Sequence, residues 1–205
     1  MLLSAAARLT FFVLALTLVG CDHATKHWAE TSLRGARHVE LVPGALDLRY
    51  AANDDVAFGL LRFVPGDVRL PVILTLGVLL IAAVSLHWWR RRVDGQLGRL
   101  EPLAYTLILA GALGNVADRV VRGYVVDFIH LHHWPIFNVA DVAIVVGAAL
   151  LAWSLREQLS DRASPTTMAI YRYCELWWVW DSVTVEYPIV CAFAKRRRVE
   201  LRVGF

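Results

Sequence analysis

Two short segments each set an amide and a carboxylate three residues apart, Asn115 with Asp118 and Asn138 with Asp141. On a helix that spacing puts both side chains on one face. A further acid, Asp127, lies between the two segments. Two carboxylates held together in an apolar setting titrate as one unit, so one keeps its proton while the other is ionised. The ionised group can take a proton from water, and the protonated one can donate to a carbonyl oxygen. That is peptide hydrolysis without a covalent intermediate. Spacing alone leaves open which of the acids form the pair. A plainer reading also stands, in which Asp127 is a capping or loop acid and Asp141 a helix N-terminal acid that favours the macrodipole. Neither a G-x-S-x-G run nor a Ser-Lys pair accompanies these residues, and Ser85 falls near the far end of an apolar run, so serine chemistry is set aside.

The elements that must position these groups are apolar. Of 205 residues, 58% are hydrophobic and 19% charged, and the mean hydropathy is +0.51, which excludes an ordinary soluble domain. A helix needs roughly 20 residues to cross ~30 Å of hydrocarbon. Residues 2–21, 70–89, 102–117 and 134–155 each supply such a run with at most one charge, although the third is short. The polar segment 23–69 between the first two carries turn signals at Pro43-Gly44 and Pro65-Gly66, and stretches 38–42 and 45–50 read as short strands. Arg90, Arg91, Arg92 and Arg99 crowd the connection between the second and third runs, which predicts a cytoplasmic loop, both ends inside, and segment 23–69 outside. On that topology Asp22, Lys26, Asn115, Asp118, Arg119, Asp127, Asn138 and Asp141 all gather at the outer face. Ionisable groups near a bilayer are costly and usually have a partner or a task.

Five blocks in this order resemble the lipoprotein signal peptidases, the signal peptidase II family. Asp22-His23-Ala24-Thr25-Lys26 is similar to that family's D-x-x-T-K block, and Asn53 followed by Ala57-Phe58-Gly59 to its N-x-G-x-A-F segment. The run Gly111 to Arg119, with Gly114, Asn115 and Asp118, is similar to G-x-x-G-N-x-x-D-R. Val126-Asp127-Phe128 and Phe137-Asn138-Val139-Ala140-Asp141 resemble the V-D-F and F-N-x-A-D blocks, whose aspartates are the catalytic pair. The resemblance, over residues 9–155, implies an all-α membrane protein of four transmembrane helices with a small extracytoplasmic β-cradle, spanning about residues 38–63. It implies an aspartyl endopeptidase of the bacterial inner membrane that cleaves diacylglyceryl-modified prolipoproteins just before the lipidated cysteine. Asp127 and Asp141 would be catalytic, with Asn53, Asn115, Asn138 and Arg119 holding peptide carbonyls or orienting the pair. Asp22 and Lys26, at i,i+4 spacing, read first as an ion pair. Asp118 could fix the helix end or meet substrate, and Gly111 and Gly114 read as sites of close helix approach. Asp55 stands where the family pattern has Gly, which bears on the loop because Gly alone reaches positive φ at little cost.

The expected partners are the bilayer and diacylated prolipoproteins, with no nucleic acid, no cofactor, no metal and a monomeric chain. His130, His132 and His133 near Asp127 could suggest zinc, but their spacing matches no known ligand pattern. Cys21, Cys174 and Cys191 are odd in number and give no disulfide framework. Leu18-Val19-Gly20-Cys21 resembles a lipobox, which would make the chain a substrate, but three further apolar runs follow it. A small proton-coupled transporter subunit is the alternative function, and it should place acids at several depths. Residues 1–160 read as the peptidase domain. Residues 161–205, with Trp177, Trp178, Trp180 and a terminal basic run, read as an extension of unknown role.

Overall fold

The structure, a computed structural model, describes residues 5–35, 38–56 and 59–162. The tail from residue 163, with Cys174, Cys191 and the Trp cluster, lies outside the described residues, as do Ala57 and Phe58. The chain divides into Met1–Arg156 and Glu157–Phe205. The second unit is described only as the end of the last helix.

Four helices and three strands follow in the order α1 (Ala5–Leu33), β1 (Val39–Val42), β2 (Leu46–Asn53), α2 (Gly66–Val93), α3 (Glu101–Arg122), β3 (Val125–Leu131) and α4 (Val139–Arg162). The protein is mostly helical, and three helices are long and apolar enough to cross a membrane: α1, α2 and the Val139–Ser160 part of α4. The fourth expected span, α3, has 22 residues and is not among these three; it is the most enclosed helix. Its neighbours cover Glu101, Thr106 and Asp118, so its polar groups face protein.

The helix α1 runs twelve residues past Cys21, where the sequence reading ended the span. Its C-terminal turns, through Asp22, Lys26 and Glu30, are polar by sequence yet remain helical because Ala29 and Leu33 have an apolar floor to cover. That floor is the sheet: Ala29, Leu33, Val126 and Phe128 form one buried cluster, flanked by Leu48, Tyr50 and Val139. Burying a side chain the size of Leu or Phe contributes about 1.5–3 kcal/mol. Cys21, the last residue of the lipobox-like run, is therefore a mid-helix position.

The sheet is antiparallel with strand order β1-β2-β3. Pro43-Gly44 closes the β1–β2 turn, with Gly44 at φ +70° and Ala45 N–H donating to Val42 O at 3.0 Å. Positive φ at the position after Pro is the demand of a type II turn. Pro65-Gly66 instead opens α2. The strand β3 was not anticipated: the sequence reading placed Asp127 in a loop, whereas it pairs with Ala51 on β2. The β-branched and aromatic run 124–129 between Gly123 and the His-rich turn was the available signal. Gly123, at φ +82°, ends α3 and turns the chain into this strand.

Candidate active site

Asp127 projects from β3 and is 3% exposed. Asp141 sits in the first turn of α4. The residue joining them is Asn138, fully buried just before α4. Its Nδ2 donates to Asp127 Oδ1 at 2.6 Å and its backbone N–H donates to Asp141 Oδ2 at 3.1 Å. In return Asn138 Oδ1 accepts the Asp141 N–H at 3.1 Å. The Asn138–Asp141 spacing is thus a reciprocal capping box rather than one helical face, since α4 begins at Val139 and not at residue 134. The capping reading of Asp141 and its place beside Asp127 are both satisfied by one geometry.

Two further asparagines complete the frame. Asn115 on α3 donates to Asp141 Oδ1 at 2.8 Å, and Asn53 at the end of β2 donates to Asp127 Oδ2 at 2.8 Å. The direction of each amide is fixed by what its oxygen accepts. Asn115 Oδ1 accepts from Lys26 Nζ at 2.9 Å, Asn53 Oδ1 from the Asp55 N–H at 3.0 Å, and Asn138 Oδ1 from the Asp141 N–H. An ammonium or a backbone N–H can only donate. Each carboxamide must therefore turn its NH2 toward a carboxylate.

Lys26 has no exposed surface and uses three contacts: Asp22 Oδ2 at 2.7 Å, Asp118 Oδ2 at 2.8 Å and Asn115 Oδ1. Asp22 Oδ1 in turn accepts the Ala140 N–H at 2.9 Å, satisfying a free donor at the start of α4. Asp118 is also paired with Arg122, which reaches Glu30 on α1. Arg119 donates Nη2 to Asp55 O at 2.6 Å and Nη1 to Asn115 O at 3.2 Å, while its Nε has no partner. These ties join α1, α3, α4 and the loop after β2 around one point.

Asp55, the position where the family pattern has Gly, adopts no positive φ. Its carboxylate accepts the N–H groups of Val56 at 2.7 Å and Leu61 at 3.1 Å, so a side chain shapes the loop that glycine would otherwise shape by backbone freedom.

Gly111 and Gly114 are approach points. A Cβ on Gly111 would collide with the Ala140 carbonyl and lie 2.8 Å from Ile144 Cγ1, and one on Gly114 would lie 2.7 Å from Asp22 Oδ2. Gly111→Ala is expected to cost about 1–3 kcal/mol, the usual range for overpacking, and to lower activity because Ala140 precedes Asp141. Thermal unfolding in detergent together with a cleavage assay measures both.

Burial of Asp127 pushes its carboxyl up to about 6, against the lowering effect of the Asn53 and Asn138 amides, and the nearby Asp141 charge adds to the rise. At the other end of the sheet Asp47 is held down at about 2 by its hydrogen bonds to Arg49 at 2.9 and 2.5 Å. His130 Nδ1 lies 3.0 Å from the same Asp47. That histidine thus belongs to the polar cluster around Asp47 at that end of the sheet. No group of His, Cys, Asp and Glu among the described residues is arranged to hold a metal. The sequence reading missed this network and the Glu30–Arg122 link, because single charges in strands and at helix ends carry no spacing signature.

The chain is similar in sequence and in fold to proteins of known kind. The family model described as Signal peptidase (SPase) II matches residues 14–156. The lipoprotein signal peptidase of Pelotomaculum thermopropionicum is 38% identical over 159 residues, covering 75% of this chain and 95% of the relative. That of Syntrophomonas wolfei is 41% identical over 136 residues, covering 66% and 85%. A bacterial membrane enzyme solved by the in meso method aligns with a TM-score of 0.63 at 26% identity, covering 76% of this chain and 92% of that one. With the match to the family model spanning most of the chain and holding every one of the paired carboxylates and amides described above, the chain belongs to the signal peptidase II family of membrane aspartic peptidases.

Proposed function

We propose that this chain cleaves the signal peptide from diacylglyceryl-modified prolipoproteins just before the lipidated cysteine, with Asp127 and Asp141 as the catalytic pair. The observation that carries the reading is the frame of Asn53, Asn115 and Asn138, whose oxygens are all held by obligate donors so that every NH2 serves a carboxylate. All three asparagines orient the pair. Arg119, with an unpartnered Nε, is the group left to meet a peptide carbonyl.

Asp127, buried and raised toward neutrality, holds the proton, which leaves Asp141, at the positive end of α4, as the base. Asp141 takes a proton from water as the oxygen attacks the carbonyl carbon, and Asp127 gives its proton to the carbonyl oxygen. As the tetrahedral intermediate collapses, the C–N bond breaks, the amine leaves with the proton Asp141 acquired, and Asp127 regains its own. The products are the free amine of the lipidated cysteine and the signal-peptide carboxylic acid, which gives its remaining proton to solvent. The pair acts at the outer face of a bacterial inner membrane, with both ends cytoplasmic, a monomeric chain, and α3 crossing as a fourth, shielded span. The substrate's acyl chains stay in the bilayer, which supplies much of the positioning. A transporter would need an unneutralised acid at another depth. The buried Glu101 at the far end of α3 is instead bonded to Arg91 at 2.5 and 3.2 Å.

The test is cleavage of a diacylglyceryl precursor beside the same precursor with Ser for Cys. Cleavage of the first alone, unchanged by chelator, is expected; equal cleavage of both would overturn the substrate assignment. The pH profile follows from Asp127. Its proton is present below about 6 and lost above, so kcat/KM should fall on an alkaline limb near that value. Asn53→Ala removes a contact that lowers this pKa, so the limb should move to higher pH. A limb that stays in place, or moves down, would remove Asp127 as the acid.

A further inference from the structure

At the end of α2 remote from the candidate active site, the side chains of Ser85, Trp88, Trp89 and Arg92 line a cleft of about 200 Å³. These positions follow the i, i+3, i+4, i+7 pattern, so they form one stripe of the helix. The N-terminal turns of α2 lie on the dyad side, where Arg69 pairs with Asp54. From Arg69 to Arg92 the helix rises roughly 35 Å at 1.5 Å per residue. The cleft therefore sits at the opposite boundary of a ~30 Å hydrocarbon layer, and the inference needs only that α2 crosses the bilayer.

The cleft offers donors and no acid. Of the three consecutive arginines, Arg91 is committed to Glu101 and to the Gln96 carbonyl. Arg92 lines the cleft, and among the described residues its guanidinium has no hydrogen-bond or ion-pair partner. The Trp88 ring lies flat on Tyr105 of α3, 5.6 Å between centroids and 13° apart, while its indole N–H is buried with no partner. A buried, unpaired N–H costs free energy unless some ligand accepts it. Ser85 adds a hydroxyl and Trp89, 64% exposed, an amphipathic ring of the kind that settles at headgroup level. Toward the bilayer centre the same stripe continues through Ala82, Ile81 and the exposed Val78, a path for an acyl chain.

We infer that this cleft binds the phosphodiester of an anionic membrane lipid, with Arg92 as its fork, Ser85 and the Trp88 N–H as lateral donors, and Trp89 against the glycerol and upper acyl region. A guanidinium matches phosphate oxygens in two directions at once. Arg90, exposed and outside the cleft, adds only to the field. The alternative is that these arginines serve topology alone, and such a role needs neither the hydroxyl nor the indole.

The test is native mass spectrometry of the delipidated full chain in detergent, titrated with phosphatidylglycerol, with phosphatidylcholine and with inorganic phosphate. Retention of phosphatidylglycerol about five-fold above phosphatidylcholine is expected, from one cation acting at the surface. Arg92→Gln should abolish the preference. Ser85→Leu, at an exposed helix position, should fill the cleft and remove binding while every arginine remains, and Arg90→Gln should retain most of it. Loss of unfolding temperature in Arg92→Gln would shift the decision to Ser85→Leu. Equal retention of the two lipids, unchanged preference in Ser85→Leu, or displacement of the lipid by millimolar inorganic phosphate would overturn the assignment.

Discussion

Asp127→Asn and Asp141→Asn are each expected to lower kcat/KM for a diacylglyceryl precursor by roughly 10³-fold or more, the range for removing positioned acid–base catalysis. The two variants should differ in stability. At position 127 an asparagine offers one acceptor oxygen where the Asn53 and Asn138 amides both donate, so one contact is lost. Against that loss stands relief of a buried charge. Asp127 has its carboxyl raised to about 6 from 3.8, so the carboxyl opposes folding by an amount that grows as pH rises from about 4 to 6 and is constant above. The terms have opposite sign, and the unfolding temperature near neutral pH should move little. Asp141→Asn also weakens the capping box, because the Asn138 N–H and the Asn115 amide both reach its oxygens. A carboxamide can accept only one of them well, and no buried charge is relieved to the same degree. It should be the less stable of the two. Full activity in either variant would sink the paired mechanism, whatever the stabilities show.

The sequence made legible those features that repeat a physical pattern. Apolar runs long enough to cross a bilayer gave α1, α2 and α4, and the Pro43-Gly44 pair gave the hairpin. The gathering of acids and amides at one end of the helices followed from topology, and the motif blocks singled out Asp127 and Asp141. The extension of α1 was hidden because Asp22, His23, Lys26 and Glu30 look like the start of an aqueous segment. Only the later strands, packed on Ala29 and Leu33, give those turns a reason to stay helical. The strand β3 was hidden for a related reason: seven residues between two helices satisfy a short loop as well as a strand until β2 supplies its hydrogen bonds. The asparagines were recognised as residue types, but their task depends on which donor holds each oxygen. That is a tertiary fact: the sequence left Asn53 to hold a peptide carbonyl or to orient the pair, and the fold turns its NH2 to Asp127.

Lys26 is where the site and the fold are most tightly joined, and Lys26→Met is expected to damage both. The ammonium is fully buried between Asp22 and Asp118, and removing one partner of a buried ion pair costs about 3–5 kcal/mol because the remaining charge loses its compensation. Asp118 keeps Arg122, so the greater part of the penalty falls on Asp22. The second consequence is local to the chemistry. Without the ammonium the Asn115 oxygen is held only by the longer bond from the Asn138 NH2, at 3.3 Å, so its own NH2 is less firmly turned toward Asp141. The two effects separate in the double variant Lys26→Met/Asp22→Asn. Asparagine at position 22 keeps an oxygen for the Ala140 N–H and carries no charge, so much of the lost stability should return. Activity should lag behind stability, because the ammonium's shorter bond to Asn115 is not restored. Chemical unfolding in detergent and precursor cleavage, measured on the wild type and both variants, test this directly. If activity recovers in step with stability, Lys26 serves the fold alone, and the frame around Asp141 does not depend on it.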